Sequence, residues 1–496
     1  MTTHLPSLSH SYSQLPEEFY SRQAPEQVRV PAPLRINEEL ARDLGIDPKW
    51  LASQEGAEFL AGNLLPDDGN PIALVYAGHQ FGNWVPRLGD GRATLLGEVR
   101  SKGGELLELQ YKGSGRTPYS RSGDGRAPLG PVLREFMVSE GMHALGVPTT
   151  RVLGAASTGE KVYRVRPLPG AVLIRVAQSH IRIGTFEYFA AQQNHSALKH
   201  LVKYTLDRHY EGLNEEDQTP IGLLRAYAER LARLIARWQS LGFIHGVMNT
   251  DNMLLSGETV DYGPCAFMNE YDSKTVFSSI DQFGRYAYGN QPRIAQWNLA
   301  RFAEALSVFY KDEKEAKSYI EAAQEVITEF PSQFEDAYFG LLLPKAGIEA
   351  PKEEDPDLIR EMVEMLEGAS LDYTLFFRHL TALAGPKKEI LPPSFQVGSQ
   401  FDSWIKTWEE RLNKDGSSQE EQRERQEKMI ALNPVFIPRN HLVEEALDDA
   451  VEEGSLAAFD ALLEVVRSPF SYAPDRERYG LPPKPEERVA ATFCGT

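Results

Sequence analysis

The sequence predicts an α+β fold of two lobes, a mixed β-sheet N-terminal lobe followed by a larger, mostly helical C-terminal lobe. Three observations predict it. From Leu74 to Arg175 short apolar runs are broken by glycines and interrupted by one helical pattern. After about residue 186 apolar residues recur at i, i+3, i+4 spacing. Between helical stretches lies one compact, loop-rich segment, 242–292.

In chain order, residues 1–70 carry scattered prolines and a short helical candidate, Glu38–Leu44, and read as an extension packed on the body. Residues 71–185 form the N-lobe. Its strand candidates are Ala93–Val99, Leu106–Lys112, Val162–Val165 and Val172–Val176. Its helix runs from Pro131 to Leu145, with proline near the first turn and Gly146 at the stop. Residues 186–496 form the C-lobe. Leu223, Leu224, Tyr227, Leu231, Leu234, Ile235 and Trp238 make one amphipathic helix ending near Gly242. Further helices are expected at Trp297–Phe309, Lys317–Thr328, Asp357–Leu366, Phe401–Leu412 and Leu442–Val466. The charged segments Glu349–Asp357 and Asn413–Lys428 read as solvated linkers or helix faces.

Composition narrows the function. A formal net charge of −19 argues against a surface for generic phosphate-backbone binding, so no nucleic-acid partner is expected. The only cysteines, Cys265 and Cys494, exclude a disulfide framework and a cysteine zinc site. No apolar run approaches the roughly 20 residues that span a bilayer. Met1–Gln23 lacks a basic segment followed by an apolar one and carries Glu17 and Glu18, so neither a secretory signal nor an organelle transit peptide is expected there. A cytoplasmic protein without a membrane partner is expected.

Several residues have the chemistry of a nucleotide site. Gly89-Asp-Gly-Arg92 sits at a turn between strands, where glycine lets backbone N–H groups approach phosphate and Arg92 adds charge. Alone, that is a plain hairpin turn. The motif recurs as Gly123-Asp124-Gly125-Arg126, just ahead of a helix N-terminus, which attracts anions. Arg175 and Arg182 flank a short segment and suit either a phosphate clamp or ordinary ion pairing. Lys112 ends a strand and Glu135 lies in the next helix, the order in which protein kinases hold the lysine that contacts ATP phosphates.

The densest signal is His245-Gly-Val-Met-Asn-Thr-Asp251-Asn252, then a short strand and Asp261-Tyr-Gly263. A kinase catalytic loop reads H-R-D-x-x-x-x-N before D-F-G. Here His245, Asn252 and Asp261 keep their places, while the usual base position is Val247, which cannot accept a proton. Asp251 is the nearest replacement carboxylate. Asn252 and Asp261 supply the oxygen ligands that Mg²⁺ prefers, with Mn²⁺ the alternative. The outline is a protein-kinase-like bilobal fold that binds Mg-ATP.

Longer strings carry a closer resemblance. Tyr76-Ala-Gly-His-Gln-Phe-Gly82, Leu88-Gly-Asp-Gly-Arg92, Lys112-Gly-Ser-Gly-Arg-Thr-Pro-Tyr-Ser-Arg121, Ser179-His-Ile-Arg-Ile-Gly-Thr-Phe-Glu187, the 245–252 loop and Asp261-Tyr-Gly-Pro264 are similar to the selenoprotein O family. The match is densest between about 74 and 300 and extends more weakly along the whole length. The resemblance implies a pseudokinase that binds ATP in a flipped orientation. It also implies transfer of AMP to Ser, Thr or Tyr hydroxyls of protein substrates, with pyrophosphate released. It implies nucleotide contacts from Gly89, Gly91, Arg92, Lys112, Asp124, Gly125, Arg175, Arg182 and Asp261, with Glu135 as the partner of Lys112. Asn252 and Asp261 become metal ligands and Asp251 the proton acceptor.

Two other functions fit the same residues: a phosphotransferase with a rearranged base, and a non-catalytic nucleotide-binding scaffold. Retention of Lys112, Glu135, Asn252 and Asp261 argues against the scaffold. Cys265 is expected to be a small buried residue and Cys494 an exposed thiol on a proline-rich tail. The alternative is a disulfide between them that restrains the catalytic region.

Overall fold

The computed structural model describes residues 4–493. Its largest feature is a sheet assembled from β1 (Tyr20–Arg22), β2 (Ala32–Ile36), β3 (Ile72–Leu74), β6 (Ala93–Arg100), β7 (Leu106–Lys112), β8 (Ala127–Pro128), β9 (Arg151–Tyr163) and β10 (Pro167–Ala177). A separate hairpin, β4 (Gly78–Gln80) and β5 (Asn83–Val85), precedes β6 in the chain. The strand order is β1-β3-β6-β7-β10-β9-β2, with β8 paired to β10. Among the described residues every strand pairing in this sheet is antiparallel, so the mixed sheet expected from sequence is corrected. The reason is local. Residues 101–105 and 164–166 close tight hairpins, whereas parallel neighbours need crossovers of a dozen residues or more.

β9 begins at Arg151, well before the expected Val162. Its first half, Gly154-Ala-Ala-Ser-Thr-Gly159, is poor in β-branched residues, so composition hides it. Packing explains the small residues, because a side chain at Gly154 would meet Leu60. Leu60 closes α3 (Gln54–Leu60), which follows α1 (Glu38–Asp43) and α2 (Pro48–Leu51). These helices cover one sheet face through Leu40, Leu44, Trp50, Leu51 and Phe59. The first 70 residues thus add both edge strands and part of the core.

The helix after β8, α4 (Leu129–Ala144), packs on β9 and β10. Its other side meets two C-terminal helices through Leu133 and Phe136 against Leu442, Phe459 and Leu463. The continuous helix expected over 442–466 is broken there. Asn440–Asp448 passes through a wide turn to Gly454, whose φ of +68° ends it before Ala457–Val466.

Helical structure dominates after β10: α5 (Ile183–Ala191), α6 (His195–His209), α7 (Pro220–Leu241), α8 (Gln291–Ser307) and α9 (Glu313–Lys345). All seven apolar residues expected on α7 are buried. Thr219 caps its start by accepting the Gly222 N–H, and Gly242 at φ +72° ends it. α9 runs well past the expected Thr328 with Pro331 and Pro344 inside it; its buried Phe330, Leu342 and Leu343 outweigh the proline breaks. Later helices cover Asp355–Glu367, Tyr373–Leu383, Asp402–Asn413 and Gln419–Leu432. Among the described residues no helix is long and apolar enough to cross a membrane.

The loop-rich 242–292 stretch is pinned by α7. Trp238 donates to Thr259 Oγ1 at 2.9 Å and stacks on His245, centroids 5.2 Å apart. The short strand expected before Asp261 is absent. Leu254 and Thr259 instead make single bridges, to Arg182 and to Thr149. β11 (Phe243–Ile244) pairs with β12 (Ala266–Phe267) beyond it. Cys265 is fully buried, and Cys494 lies outside the described residues. Thr492, near the end of the described chain, donates to the Pro264 carbonyl at 2.6 Å, beside Cys265.

Candidate active site

A cavity of about 380 Å³ is lined from both the sheet and the loop-rich stretch. Every residue expected to bind nucleotide or metal or to take the proton lines it. Gly89, Gly91, Arg92, Lys112, Asp124 and Gly125 come from strand ends and turns, and Glu135 from α4. Arg175 comes from β10 and Arg182 from the N-terminus of α5. Asp251, Asn252 and Asp261 come from the loops after β11.

Four charges form its floor. Lys112 donates to Glu135 at 2.5 Å and to Asp261 Oδ1 at 2.7 Å. Arg175 donates to the other Glu135 oxygen at 2.7 Å and to the same Asp261 oxygen at 2.7 Å. Burial opposes the Asp261 charge, yet Lys112, Arg175 and Arg182 outweigh it and hold that carboxyl well below the usual range. Burial likewise opposes Glu135, and Arg175 and Lys112 still lower it. The network is therefore ionised, with each charge balanced inside a low-dielectric pocket. Arg175 is 2% exposed and committed to these carboxylates, so it sets the position of Asp261 as well as lining the cavity.

His245 organises the loop above this floor. Its ring bonds the Val260 carbonyl through Nε2 at 2.9 Å and accepts the Val247 N–H through Nδ1. That single imidazole ties the Asp251 loop to the segment leading to Asp261. Val247 lines the cavity, and its apolar side chain cannot accept a proton. Asn252 donates its amide nitrogen to the Val247 carbonyl at 3.0 Å, which leaves its amide oxygen for a ligand. Asp251 is 6% exposed; burial pushes its carboxyl up to about 6, against the opposing pull of Gln80 and Arg182. Its backbone carbonyl accepts from Arg182 at 2.9 Å.

The glycine loops are built for close approach. Gly125 has φ +68°, and a Cβ there would collide with the Gly115 carbonyl. Gly89 has φ +84° and lies against the Tyr119 ring. Asp124 is bound in bidentate fashion by Arg164 at 2.8 and 3.0 Å, which lowers its pKa. Arg182 stacks on Tyr76, 4.3 Å from the ring centre.

Sequence reasoning did not assign Tyr76, Gln80, Gln110, Tyr119, Arg121, Arg164 or Asn249, all of which line the cavity. The strings Tyr76–Gly82 and Lys112–Arg121 carried that signal without an assigned role. Arg164 had none, lying in a hairpin turn far along the chain. Among the described residues no three His, Cys, Asp or Glu side chains group as a metal site.

The family model described as "Protein adenylyltransferase SelO" matches residues 5–467. The chain is 49% identical over 497 residues to the "Protein nucleotidyltransferase YdiU" of Bradyrhizobium diazoefficiens, covering 100% of both. It is 48% identical over 492 residues to the protein of that name from Rhizobium etli, covering 99% of this chain and 97% of the relative. The Rhizobium meliloti protein of that name is 48% identical over 489 residues, covering 98% and 99%.

Proposed function

From the premise that this chain belongs to the protein adenylyltransferase SelO family, we propose that it transfers AMP from ATP to Ser, Thr or Tyr hydroxyls of protein substrates. The observation that carries this reading is the meeting of Lys112, Glu135, Asp251, Asn252 and Asp261 around one cavity, although they come from separate elements. In this reading residues 71–185 and 186–496 are the two lobes of a protein-kinase-like fold, with 1–70 an extension packed on the body. The cavity is then the cleft between the lobes.

Lys112 places an ammonium beside the phosphates, with Arg92, Arg175 and Arg182 adding positive charge around them. The turns at Gly89, Gly91 and Gly125, packed too tightly against Tyr119 and Gly115 to admit a side chain, offer backbone N–H groups to phosphate oxygens. Asp124 keeps its loop in place through Arg164. Asp251 takes the proton of the acceptor hydroxyl. That oxygen then forms a bond to the α-phosphorus, the bond to the bridging oxygen of the β-phosphate breaks, and pyrophosphate leaves. The carboxylate of Asp261 and the free amide oxygen of Asn252 are hard oxygen donors and fit Mg²⁺, or Mn²⁺. When bound, that ion neutralises charge on the phosphates.

The formal net charge of −19 disfavours a surface for phosphate backbones and supports the reading that nucleic acid is not a partner. Intact-mass measurement after incubation with ATP tests the reading, on the protein itself and on casein as a hydroxyl-bearing acceptor. A gain of one AMP per modified site is expected. A gain of phosphate would establish the phosphotransferase, and no gain the scaffold.

A further inference from the structure

The string Tyr76–Gly82 has no role in the chemistry above, yet it touches the proposed base directly. Phe81 and Gly82, with φ of +51° and +83°, close β4 and β5 into a two-residue hairpin. Three consecutive hairpin residues bond three consecutive residues of the catalytic loop. The His79 N–H donates to Thr250 Oγ1 at 2.7 Å, and the Phe81 N–H donates to Asn249 Oδ1 at 2.9 Å. Between them the Gln80 amide donates to Asp251 Oδ2 at 3.2 Å.

Glu187 of α5 locks the two together. One of its oxygens pairs with His79 Nδ1 at 2.6 Å, and the other accepts from Thr250 Oγ1 at 2.5 Å. The Ala77 N–H, just ahead of β4, donates to the Gly184 carbonyl of the same helix. The remaining side of Asp251 is closed by Gly78. A Cβ on Gly78 would stand 2.5 Å from Asp251 Oδ1, a separation real contacts do not reach. One carboxylate oxygen is thus held by a hydrogen bond and the other is confined by a bare backbone.

We propose that the β4–β5 hairpin is the positioning element for Asp251, with Gln80 fixing the rotation of the carboxylate and Gly78 leaving the space it occupies. The inference rests on Asp251 being the proton acceptor. Gln80 lines the cavity, but its amide hydrogen-bonds Asp251 and not Lys112, Glu135, Asn252 or Asp261, so the proposal assigns its effect on the reaction to Asp251. Its loss affects the proton-transfer step and leaves ATP binding in place.

The test is a double-mutant cycle on AMP transfer, combined with ATP affinity and a crystal structure of the Gln80→Leu protein. Gln80→Leu keeps the side-chain bulk and removes the donor. It is expected to lower kcat on the order of ten- to a hundredfold, the range for a hydrogen bond to a charged group. KM and Kd for ATP should stay within about twofold. In an Asp251→Asn background the same substitution should cause no further loss, because residues acting through one group are not additive. Gly78→Ala should lower kcat comparably by turning the carboxylate, again only when Asp251 is present. The crystal structure should show the Asp251 carboxylate rotated. Normal kcat in Gln80→Leu, a full further loss in the Asp251→Asn background, parallel loss of ATP affinity, or an unmoved carboxylate would each overturn the proposal. Normal turnover in Asp251→Asn alone would instead remove the base assignment on which it stands.

Discussion

Lys112 and Arg175 donate to one and the same carboxylate oxygen, Oδ1 of Asp261, each at 2.7 Å. Two cations so placed repel unless a carboxylate stands between them, and Glu135 completes the square from the other side. The proposed metal ligand is therefore also a structural counter-ion. Asp261→Ala should abolish AMP transfer and lower stability by about 3 kcal/mol, the low end for breaking a buried ion pair. Turnover and denaturant unfolding of the same preparation check both halves. A variant that transfers AMP normally would contradict the site.

In the proposed mechanism Asp251 acts on the acceptor hydroxyl. Removing a general base typically costs on the order of 10²–10⁴-fold in rate. Asp251→Asn should lose turnover to that degree while binding ATP with near-normal affinity. Steady-state kinetics and calorimetry on one sample decide it, and a matching loss of ATP affinity would place Asp251 with the nucleotide.

Gly125 tests the loop proposed to face the phosphates. Its φ of +68° and its contact with the Gly115 carbonyl leave no room for a methyl group. Gly125→Ala should cost about 1–3 kcal/mol in strain and raise the KM for ATP. A melting curve and an ATP titration indistinguishable from the parent would show that the loop tolerates displacement.

Glu258 tests the buried electrostatics away from the site. Burial pushes its pKa from about 4.5 up to about 8, with the carboxylates of Glu108 and Glu105 facing it; Ser256 and the Gln178 N–H pull the other way. Burial raises Glu108 to about 8 as well. A folded-state value above the unfolded one means the folded protein binds more protons between those pH values. Stability therefore falls as pH rises from about 4.5 through about 8. Glu258→Gln, whose amide oxygen can still accept both hydrogen bonds, should flatten that slope. Melting temperatures across the window measure it, and an unchanged slope would contradict the assignment.

The residues that meet at the cavity were largely legible in the sequence because they sit in short strings of fixed spacing. His245 to Asn252 and Asp261 to Gly263 identify their neighbours without knowledge of the fold, as Lys112 and Glu135 do by order. The pairing of strands was not legible. Nothing in Ala93–Arg100 or Arg151–Tyr163 states the direction of a neighbour, and the small residues of 154–159 suppress the strand signal until Leu60 packs on them. The second role of Arg175 was hidden for a similar reason. A sequence shows a cation near a pocket, whereas its commitment to Glu135 and Asp261 depends on β10 lying beside β7. Hairpin contacts to Asp251 span 171 positions and appear only once α5 brings the segments together.

AMP transfer makes the α-phosphate, and not the γ-phosphate, the reacting centre. The most direct measurement incubates the protein and an acceptor with ATP labelled at one position or the other and follows label into protein. Incorporation from α-labelled ATP with none from γ-labelled ATP is the predicted result, and it should disappear in Asp261→Ala. Incorporation from the γ-position alone would contradict AMP transfer and establish a kinase.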